Sequence, residues 1–347
     1  MAHDIRDIAK SRLVNQMLVG QKLDSPKEVV DWMGAVQAQD YKMFLWAIGI
    51  RMRKPDRQSI VDAVNRGEIV RLHLNRATWQ VVAAEDAGWM TQLYKDRNKK
   101  IAFNYYRNSI DDKLLCRCYD AFLEMLDGGK SLNREELMQG FKERGIECDK
   151  DFLMHLLRIA EAEGLICGGN IEGRIHTYAL LENRIPKQTE VSKEEALMLL
   201  ARKYFRSHAP ATLVDYRWWS GLTAGECNLG ISLLDNELDS FVVGGEEYYI
   251  HKDNPTGRMN NSSVLFLPPY DEILLGYKNR TAVLAAQHAR FAHNNSGIFY
   301  PVILHKGRIV GNWNMAKKLT YSFFDNDSAP DDFAAEKGAA QLLEFWR

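Results

Sequence analysis

The stretch AVQAQD at residues 35–40 places two glutamines one residue apart, with an aspartate directly after them. An amide oxygen accepts a hydrogen bond from water and an amide N–H donates one, so Gln37 and Gln39 together could fix a water molecule beside a reacting atom. Asp40 is the competing candidate, because a carboxylate can act as a base or stabilise a developing cation. The structural alternative is a solvated pair of surface amides at a helix end.

The glutamine pair stands at the end of a predicted amphipathic helix. SPKEVVDWMGAVQAQ (25–39) carries apolar residues at helical spacing and begins with a capping box of Ser25 and Glu28. Side chains two residues apart on a continuing helix diverge by roughly 200°. Both amides can therefore face one water only if the helix ends or turns there, and the new apolar run MFLWAIGI after Asp40 indicates such a break.

The same succession of elements is predicted three times along the chain. Helical patterns precede two short alternating segments, EIVRLHL and TWQVV, in the first unit. Three further helical patterns lead to a hairpin around GGNIEG in the second unit, and the third runs from SKEEALMLL to DSFVVGG and EEYYIHK. Helices followed by a hairpin are typical of a winged helix. The sequence therefore predicts three tandem winged helices.

The pattern changes after about residue 260. A buried-type strand, a hairpin turning at Lys306 and Gly307, a last strand and a helix that begins after a proline predict a small mixed cap. The predicted fold class is α+β and helix-rich. The predicted domains are winged helix 1 at 1–108, winged helix 2 at 109–186, winged helix 3 at 190–255 and a C-terminal α+β region at 260–347.

Composition and charge exclude several classes of protein. Lys+Arg 45 against Asp+Glu 46 gives a formal net charge of −1, so a polyanion site must be a local basic patch. The five scattered cysteines are an odd number, which is not a disulfide framework and favours a reducing cytoplasm. No apolar stretch approaches the length of a membrane span. We therefore expect a soluble cytoplasmic protein without a membrane partner.

The densest basic stretch is RMRKPDR, and further arginines follow it through the next helix and hairpin. Such residues typically contact phosphates and make DNA affinity fall with salt; the alternative is a solvated charged loop. Trp79, in the first hairpin, is a candidate for insertion into a DNA groove, although aromatics on short strands are more often core. The predicted DNA contacts are Arg51, Arg53, Lys54, Arg57, Arg66, Arg71, Arg76 and Trp79.

Motifs for metals and nucleotides are missing from the sequence. The nine histidines show no H-x-x-x-H or H-E-x-x-H spacing. There is no P-loop, no G-x-G-x-x-G after a strand and no G-x-S-x-G. No metal and no cofactor are predicted.

Four blocks in one order give the chain a family resemblance: RLHLNRATWQVV, SHAPATLVDYRWWSGL, LPPYDEILLGYKNR and GRIVGNW. They resemble the bacterial winged-helix DNA-binding-domain family of AlkZ-like DNA glycosylases, over nearly the whole chain. The resemblance implies three tandem winged helices around a C-shaped channel and a catalytic Gln-Φ-Gln motif, in which Φ is aliphatic. Gln37-Ala38-Gln39 matches that motif, whereas a sister branch carries Gln-Φ-Asp. One departure is Gln80, where the family pattern has a histidine in the first wing; if that histidine contributes to substrate choice, the substrate of this chain differs.

The resemblance implies a reaction in which the two glutamines take part. An N7-alkylated purine carries positive charge and departs as a neutral base without a protein acid, so a positioned water and a stabilised sugar cation suffice. The expected activity is a monofunctional DNA glycosylase for N7-alkylpurines, extended to unhooking of interstrand crosslinks. Gln37 and Gln39 are the expected catalytic residues, with Asp40 and Gln80 as auxiliary ones.

Two other classes remain open from the sequence. A non-catalytic winged-helix DNA-binding protein, such as a transcriptional regulator, would work without the glutamine amides. A protein-interaction scaffold would not bind DNA in a salt-dependent manner. For the glycosylase we expect a monomer in the cytoplasm, associated with the nucleoid, whose partner is double-stranded DNA carrying alkylated bases.

Overall fold

The computed structural model describes residues 5–104, 111–173, 175–187, 190–255 and 263–347. The chain divides into two compact units. The split unit combines the chain before Val61 with Leu197–Arg347, and the continuous unit is Val61–Ala196. The predicted boundary at 108/109 lies outside the described residues, and the four-domain division stays a prediction.

The first part of the split unit is mainly helical. The Ser25 hydroxyl accepts from the Glu28 N–H at 3.2 Å and the Glu28 carboxylate accepts from the Ser25 N–H at 3.0 Å. This confirms the predicted capping box at the start of the second helix. The elements are α1 (Ile5–Asn15), α2 (Pro26–Met33), β1 (Val36–Gln37), α3 (Met43–Gly49) and α4 (Arg57–Asn65), which runs on into the continuous unit.

The continuous unit begins with a hairpin and a long helix. These are β2 (Ile69–His73), β3 (Trp79–Ala83) and α5 (Ala84–Asn104). The two strands are antiparallel, with Arg71 opposite Val81 and His73 opposite Trp79. The predicted strands of the first wing are confirmed, with a short turn at Asn75–Ala77 between them.

The rest of the continuous unit follows the order helix, short strand, helix, helix, hairpin. The elements are α6 (Asp112–Leu126), β4 (Leu132–Asn133), α7 (Arg134–Glu143), α8 (Lys150–Ala162), β5 (Ile166–Gly168) and β6 (Thr177–Leu180). Strand β4 adds to the hairpin, so the sheet order is β4, β6, β5. Helix α8 packs along α5, and most of its side chains are buried. Helix α8 is the third helix of the predicted second winged helix, and its packing on α5 buries much of its surface within the continuous unit.

The third succession of helices and hairpin lies in the split unit, apart from the first turn of its first helix. Its elements are α9 (Lys193–His208), α10 (Leu213–Ser220), α11 (Ala224–Ser232), β7 (Leu238–Val243) and β8 (Glu246–His251). Strands β7 and β8 form an antiparallel hairpin. Ala211 exchanges two backbone hydrogen bonds with Tyr249, at 3.1 and 2.9 Å, and so adds a single bridge to β8.

The C-terminal region closes the split unit with a four-stranded sheet and a helix. Its elements are β9 (Val264–Leu267), α12 (Glu272–Leu275), α13 (Ala289–Ala292), β10 (Val302–His305), β11 (Arg308–Met315), β12 (Leu319–Phe323) and α14 (Asp332–Trp346). The sheet order is β12, β11, β10, β9. Lys306 and Gly307, with φ of 48° and 79°, form the predicted turn between β10 and β11. Helix α14 packs on β9, where Gly338 lies directly against the Val264 carbonyl.

Candidate active site

The helix before the glutamine pair ends earlier than its apolar pattern indicates. Helix α2 stops at Met33, and Gly34 follows with φ of 76°, a left-handed conformation that favours glycine. Gln37 then lies in the short strand β1 and Gln39 in a bend. The predicted helix over 34–39 is therefore wrong. The predicted break is present, and the divergence of helical side chains two residues apart does not apply to the pair.

The two glutamines differ in exposure. Gln37 is 6% exposed, whereas Gln39 is exposed and Ala38 between them is buried. The Asp40 carboxylate accepts from the backbone N–H groups of Lys42 and Met43, at 3.0 and 2.9 Å. Asp40 thus fixes the turn that leads into α3, the local role expected of an aspartate before a helix.

Glu272 holds the backbone at Gln37. Its Oε1 atom accepts from the Gln37 N–H at 2.9 Å. Its Oε2 atom accepts from the Trp219 indole N–H at 3.1 Å and lies 3.4 Å from Nε2 of His208. Glu272 is 2% exposed. Burial lowers the pKa of His208, although the Glu272 carboxylate acts in the opposite direction.

Asp271, the residue before Glu272, forms a buried ion pair with Arg51. Two guanidinium nitrogens lie 2.9 Å from its two carboxylate oxygens, an end-on bidentate arrangement. Arg51 also donates to the Ala47 carbonyl at 2.8 Å and to the Gln16 amide oxygen at 3.2 Å. The guanidinium is fully buried and cannot reach a phosphate. The predicted DNA contact at Arg51 is corrected to a structural role.

A second buried ion pair lies in the same unit. Arg12 Nη2 and Asp215 Oδ2 are 3.1 Å apart, and the guanidinium stacks 3.7 Å from the centre of the Tyr277 ring. The Asp215 carboxylate also accepts from the backbone N–H groups of Lys278 and Asn279. The partner of opposite charge offsets part of the cost of removing each charged group from water.

The remaining basic residues of RMRKPDR are exposed. Arg53 pairs with Asp24 at 2.6 Å while both side chains remain largely in solvent. Arg57 stacks 5.6 Å from the centre of the Trp346 ring, and Lys54 is exposed. These side chains stay candidates for phosphate contacts.

In the continuous unit, Arg66 is exposed beside Glu68, at 2.8 Å. Arg76 is half-buried, in a turn where its φ is 56°. Both arginines stay candidates for contact with DNA.

Arg71 and Trp79 are packed inside the continuous unit. The Arg71 guanidinium stacks 3.7 Å from the centre of the Trp79 ring and lies 2.8 Å from Nε2 of His176. Arg71 is 5% and Trp79 9% exposed. The predicted DNA contacts at these two residues are therefore wrong, because both side chains belong to the core. For Trp79 a core position was the stated alternative, since aromatic residues on short strands are more often core. Burial, then Arg71, lowers the pKa of His176 to about 2.

Gln80, the auxiliary candidate in the first wing, is also buried. Its amide N–H donates to the Thr78 hydroxyl at 3.0 Å. The carboxylate of Glu161 is bonded to Nδ1 of His73 in the same core, and His73 stacks against Trp79 with ring centres 3.9 Å apart.

Sequence reasoning missed the residues that hold the glutamine segment. Glu272, Asp271, His208 and Trp219 are supplied by distant parts of the chain. The sequence offered one indication of these contacts: two adjacent carboxylates and a histidine lie inside otherwise apolar blocks. Polar groups in such blocks are expected to be paired when they are buried.

Two absences concern only the part of the chain that the structure describes. Within it, no group of three or more His, Cys, Asp or Glu residues could hold a metal ion. Among the same residues, no helix combines the length and apolarity needed to cross a membrane.

Comparison with known proteins places this architecture in a family. The family described as DNA glycosylase AlkZ-like matches residues 30–345. A curated relative, the interstrand DNA cross-link repair glycosylase of Streptomyces sahachiroi, is 22% identical in an alignment that covers 97% of this chain and 95% of that protein. The solved structure of the S. sahachiroi DNA glycosylase AlkZ superposes with a TM-score of 0.80 at 22% identity, over 99% of this chain and 97% of the other. The chain belongs to the AlkZ-like DNA glycosylase family.

Proposed function

We propose that the protein is a monofunctional DNA glycosylase that hydrolyses the N-glycosidic bond of N7-alkylated purines, with a water positioned by Gln37 and Gln39. The observation that carries this proposal is the construction of the glutamine segment. Helix α2 ends before it, and Glu272 binds the Gln37 backbone N–H at 2.9 Å. A buried carboxylate with three polar neighbours is a rigid support, and rigid support is what a positioning mechanism requires.

The charge of the substrate determines what the protein has to supply. N7-alkylation makes the purine a cation, so its departure as a neutral base needs no proton from the protein. The remaining demand is a nucleophile on the opposite face of an oxocarbenium-like sugar. Gln37, which is buried, and Gln39, which is exposed, would each contribute a hydrogen bond to the attacking water. Asp40 is an auxiliary candidate for stabilising the sugar cation, although its carboxylate already accepts two backbone hydrogen bonds.

The DNA-binding part of the proposal is three tandem winged helices around a C-shaped channel. It is supported by the recurring order of helices and hairpin, with strand β4 added to the second hairpin and a single bridge at Ala211 added to the third. The exposed cations Arg53, Lys54, Arg57 and Arg66 supply local positive charge in a chain whose net charge is −1.

Unhooking of interstrand crosslinks is included in the proposal. The matching relative from S. sahachiroi is named as a cross-link repair glycosylase. A crosslink between two N7 positions is two cationic purines joined by a tether, so the same hydrolysis applies to each of them. We expect release on one strand, scored as conversion of crosslinked duplex to separable strands, from a bis-alkylated guanine substrate.

The monofunctional assignment means that water, and not a lysine amine, attacks the sugar. Burial, then the neighbouring Arg51 charge, lowers the pKa of Lys22 to about 7, and an amine of this kind can attack a sugar. Its Nζ atom, however, donates to the Leu18 and Ile50 carbonyls at 2.8 and 2.6 Å. We expect no covalent protein–DNA adduct when borohydride is added during turnover; a trapped adduct would contradict the assignment.

The first experiment is incubation of the purified protein with a duplex containing one N7-methylguanine, followed by alkaline cleavage at abasic sites. The account predicts base release above the spontaneous rate. Salt-dependent DNA binding without base release would instead support a non-catalytic winged-helix protein, and the absence of both would support a protein-interaction scaffold.

A further inference from the structure

Tyr270 has a backbone conformation that its side chain disfavours. Its φ is 60°, in the left-handed region that a bulky aromatic rarely adopts. Such a conformation persists only where the surrounding structure determines it, and it is concentrated at functional sites. Tyr270 directly precedes Asp271 and Glu272, the two carboxylates that support the glutamine segment.

The chain on both sides of Tyr270 is held by buried groups. After it, Asp271 is bound by Arg51 and Glu272 by the Gln37 N–H. Before it, the Trp46 and Trp313 indoles donate to the backbone carbonyls of residues 266 and 267, at 2.6 and 2.7 Å. These contacts leave the backbone at 270 little freedom, which accounts for the retention of the strained conformation.

The ring of Tyr270 belongs to the segment that Glu272 joins to the Gln37 backbone N–H. It is partly exposed, and its centre is 6.1 Å from that of Phe299. Burial raises the pKa of the Tyr270 phenol, and the Asp40 carboxylate and the Tyr300 hydroxyl add to this effect. Tyr300 in turn lines an open groove of about 540 Å³ together with Phe291 and Tyr321.

We propose that Tyr270 is a substrate-binding residue of the glycosylase site, whose electron-rich ring stacks on the cationic N7-alkylpurine. This inference rests on the proposed function. A ring face attracts a cation more strongly than a neutral heterocycle of the same shape. Because the base loses its charge on departure, the contact favours binding of the alkylated base over ordinary guanine and does not speed the chemical step.

A purely structural role predicts a different response to mutation. If the tyrosine only fills space at a forced turn, residues that accept positive φ would be tolerated. Tyr270→Asn and Tyr270→Gly accept that conformation but remove the ring, Tyr270→Leu removes the π face but keeps apolar bulk, and Tyr270→Phe keeps the face. Lys306→Gly is the matched control, because it relieves the strain of another positive φ, of 48°, at the exposed β10–β11 turn.

The test measures single-turnover base release from N7-methylguanine duplex over a range of protein concentrations, together with melting temperatures. We expect Tyr270→Leu and Tyr270→Asn to raise the half-saturating concentration about threefold to thirtyfold with an unchanged maximal rate. Tyr270→Phe should stay within about twofold of wild type on the same basis. Lys306→Gly should match wild type, and the Tyr270→Asn melting temperature should lie within about 4 °C of it.

Four results would overturn the inference. An unchanged half-saturating concentration in Tyr270→Leu and Tyr270→Asn would exclude a stacking role while leaving the glycosylase intact. A fall in the maximal rate alone, or a loss that follows the melting temperature across all variants, would assign Tyr270 to positioning or to stability. Failure of the wild-type protein to release base would remove the proposed function itself, and this inference with it.

Discussion

The polar cores of the two units use arginine in opposite ways. In the split unit, Arg51 meets the Asp271 carboxylate through two hydrogen bonds. In the continuous unit, Arg71 stacks on Trp79 and meets His176, whose pKa is lowered to about 2, first by burial. One core pairs its arginine with a carboxylate, whereas the other places its arginine against an indole ring and an imidazole. Both arginines have the sequence context of a phosphate contact, so basic character alone does not distinguish surface from core.

The largest difference between the two cores should appear on removal of Arg51. Arg51→Ala leaves the Asp271 carboxylate buried without its bidentate partner, and we expect the free energy of unfolding to fall by about 3–5 kcal/mol. Denaturant melts of the purified variants measure this fall. The double variant Arg51→Met, Asp271→Leu should recover most of the loss because it removes both charges. A single variant as stable as wild type would show that the pair does not hold this core.

Arg71→Ala should lower the free energy of unfolding by less than Arg51→Ala does. It removes the cation–π contact with Trp79 and the hydrogen bond to His176, so we expect a loss of about 1–3 kcal/mol in the same melts. Arg71→Lys keeps the charge but not the planar stack and should recover only part of the loss. A loss equal to that of Arg51→Ala would remove the distinction between the two cores.

The continuous core should also respond to acid. The pKa of His176 is about 2 in the folded protein and about 6.5 when unfolded. Above pH 6.5 both states are neutral, and below it the unfolded state takes up the proton. Stability is therefore lost as the pH falls from 6.5 towards 2, by up to about 1.4 kcal/mol per pH unit. Melts between pH 7 and 4.5 should show a shallower decline for His176→Asn; identical slopes would contradict a neutral His176.

The smallest effect on stability is expected at the exposed cations. Arg53→Ala breaks an exposed ion pair with Asp24 and should leave the free energy of unfolding close to that of wild type, because solvent screens the pair. If Arg53 contacts a phosphate, the slope of log affinity for duplex DNA against log salt concentration should become shallower by about one. Arg71→Lys, buried and still cationic, is the control and should leave the slope unchanged. An unchanged slope for Arg53→Ala would assign this cation to solvent.

Local chemistry was the part of the fold that the sequence predicted well. The Ser25–Glu28 capping box and the Lys306–Gly307 turn are confirmed because neighbouring residues determine them. The full extent of helix α5 could not be predicted because its packed face carries polar residues: Thr91 donates to the Ala87 carbonyl, and Asn98 donates to the carbonyls of residues 73 and 74. These side chains interrupt the apolar pattern from which a helix is predicted.

The support of the candidate site could not be predicted because it is formed across the chain. Glu272 and the Gln37 N–H are 235 residues apart in sequence, and Arg51 and Asp271 are 220 apart. No local pattern marks such pairs. The end of α2 at Met33 was likewise hidden, since the apolar spacing continues through Val36 while Gly34 turns the backbone.

The central claim is tested most directly by the single-turnover rate of base release from N7-methylguanine duplex for Gln37→Ala and Gln39→Ala. Gln139→Ala, an exposed glutamine on α7, is the matched control. Loss of a positioned water predicts a fall of about 100-fold or more in the maximal rate for each of the two variants, with melting temperatures and duplex affinity close to wild type and with the control unaffected. Wild-type rates in both variants would contradict the account.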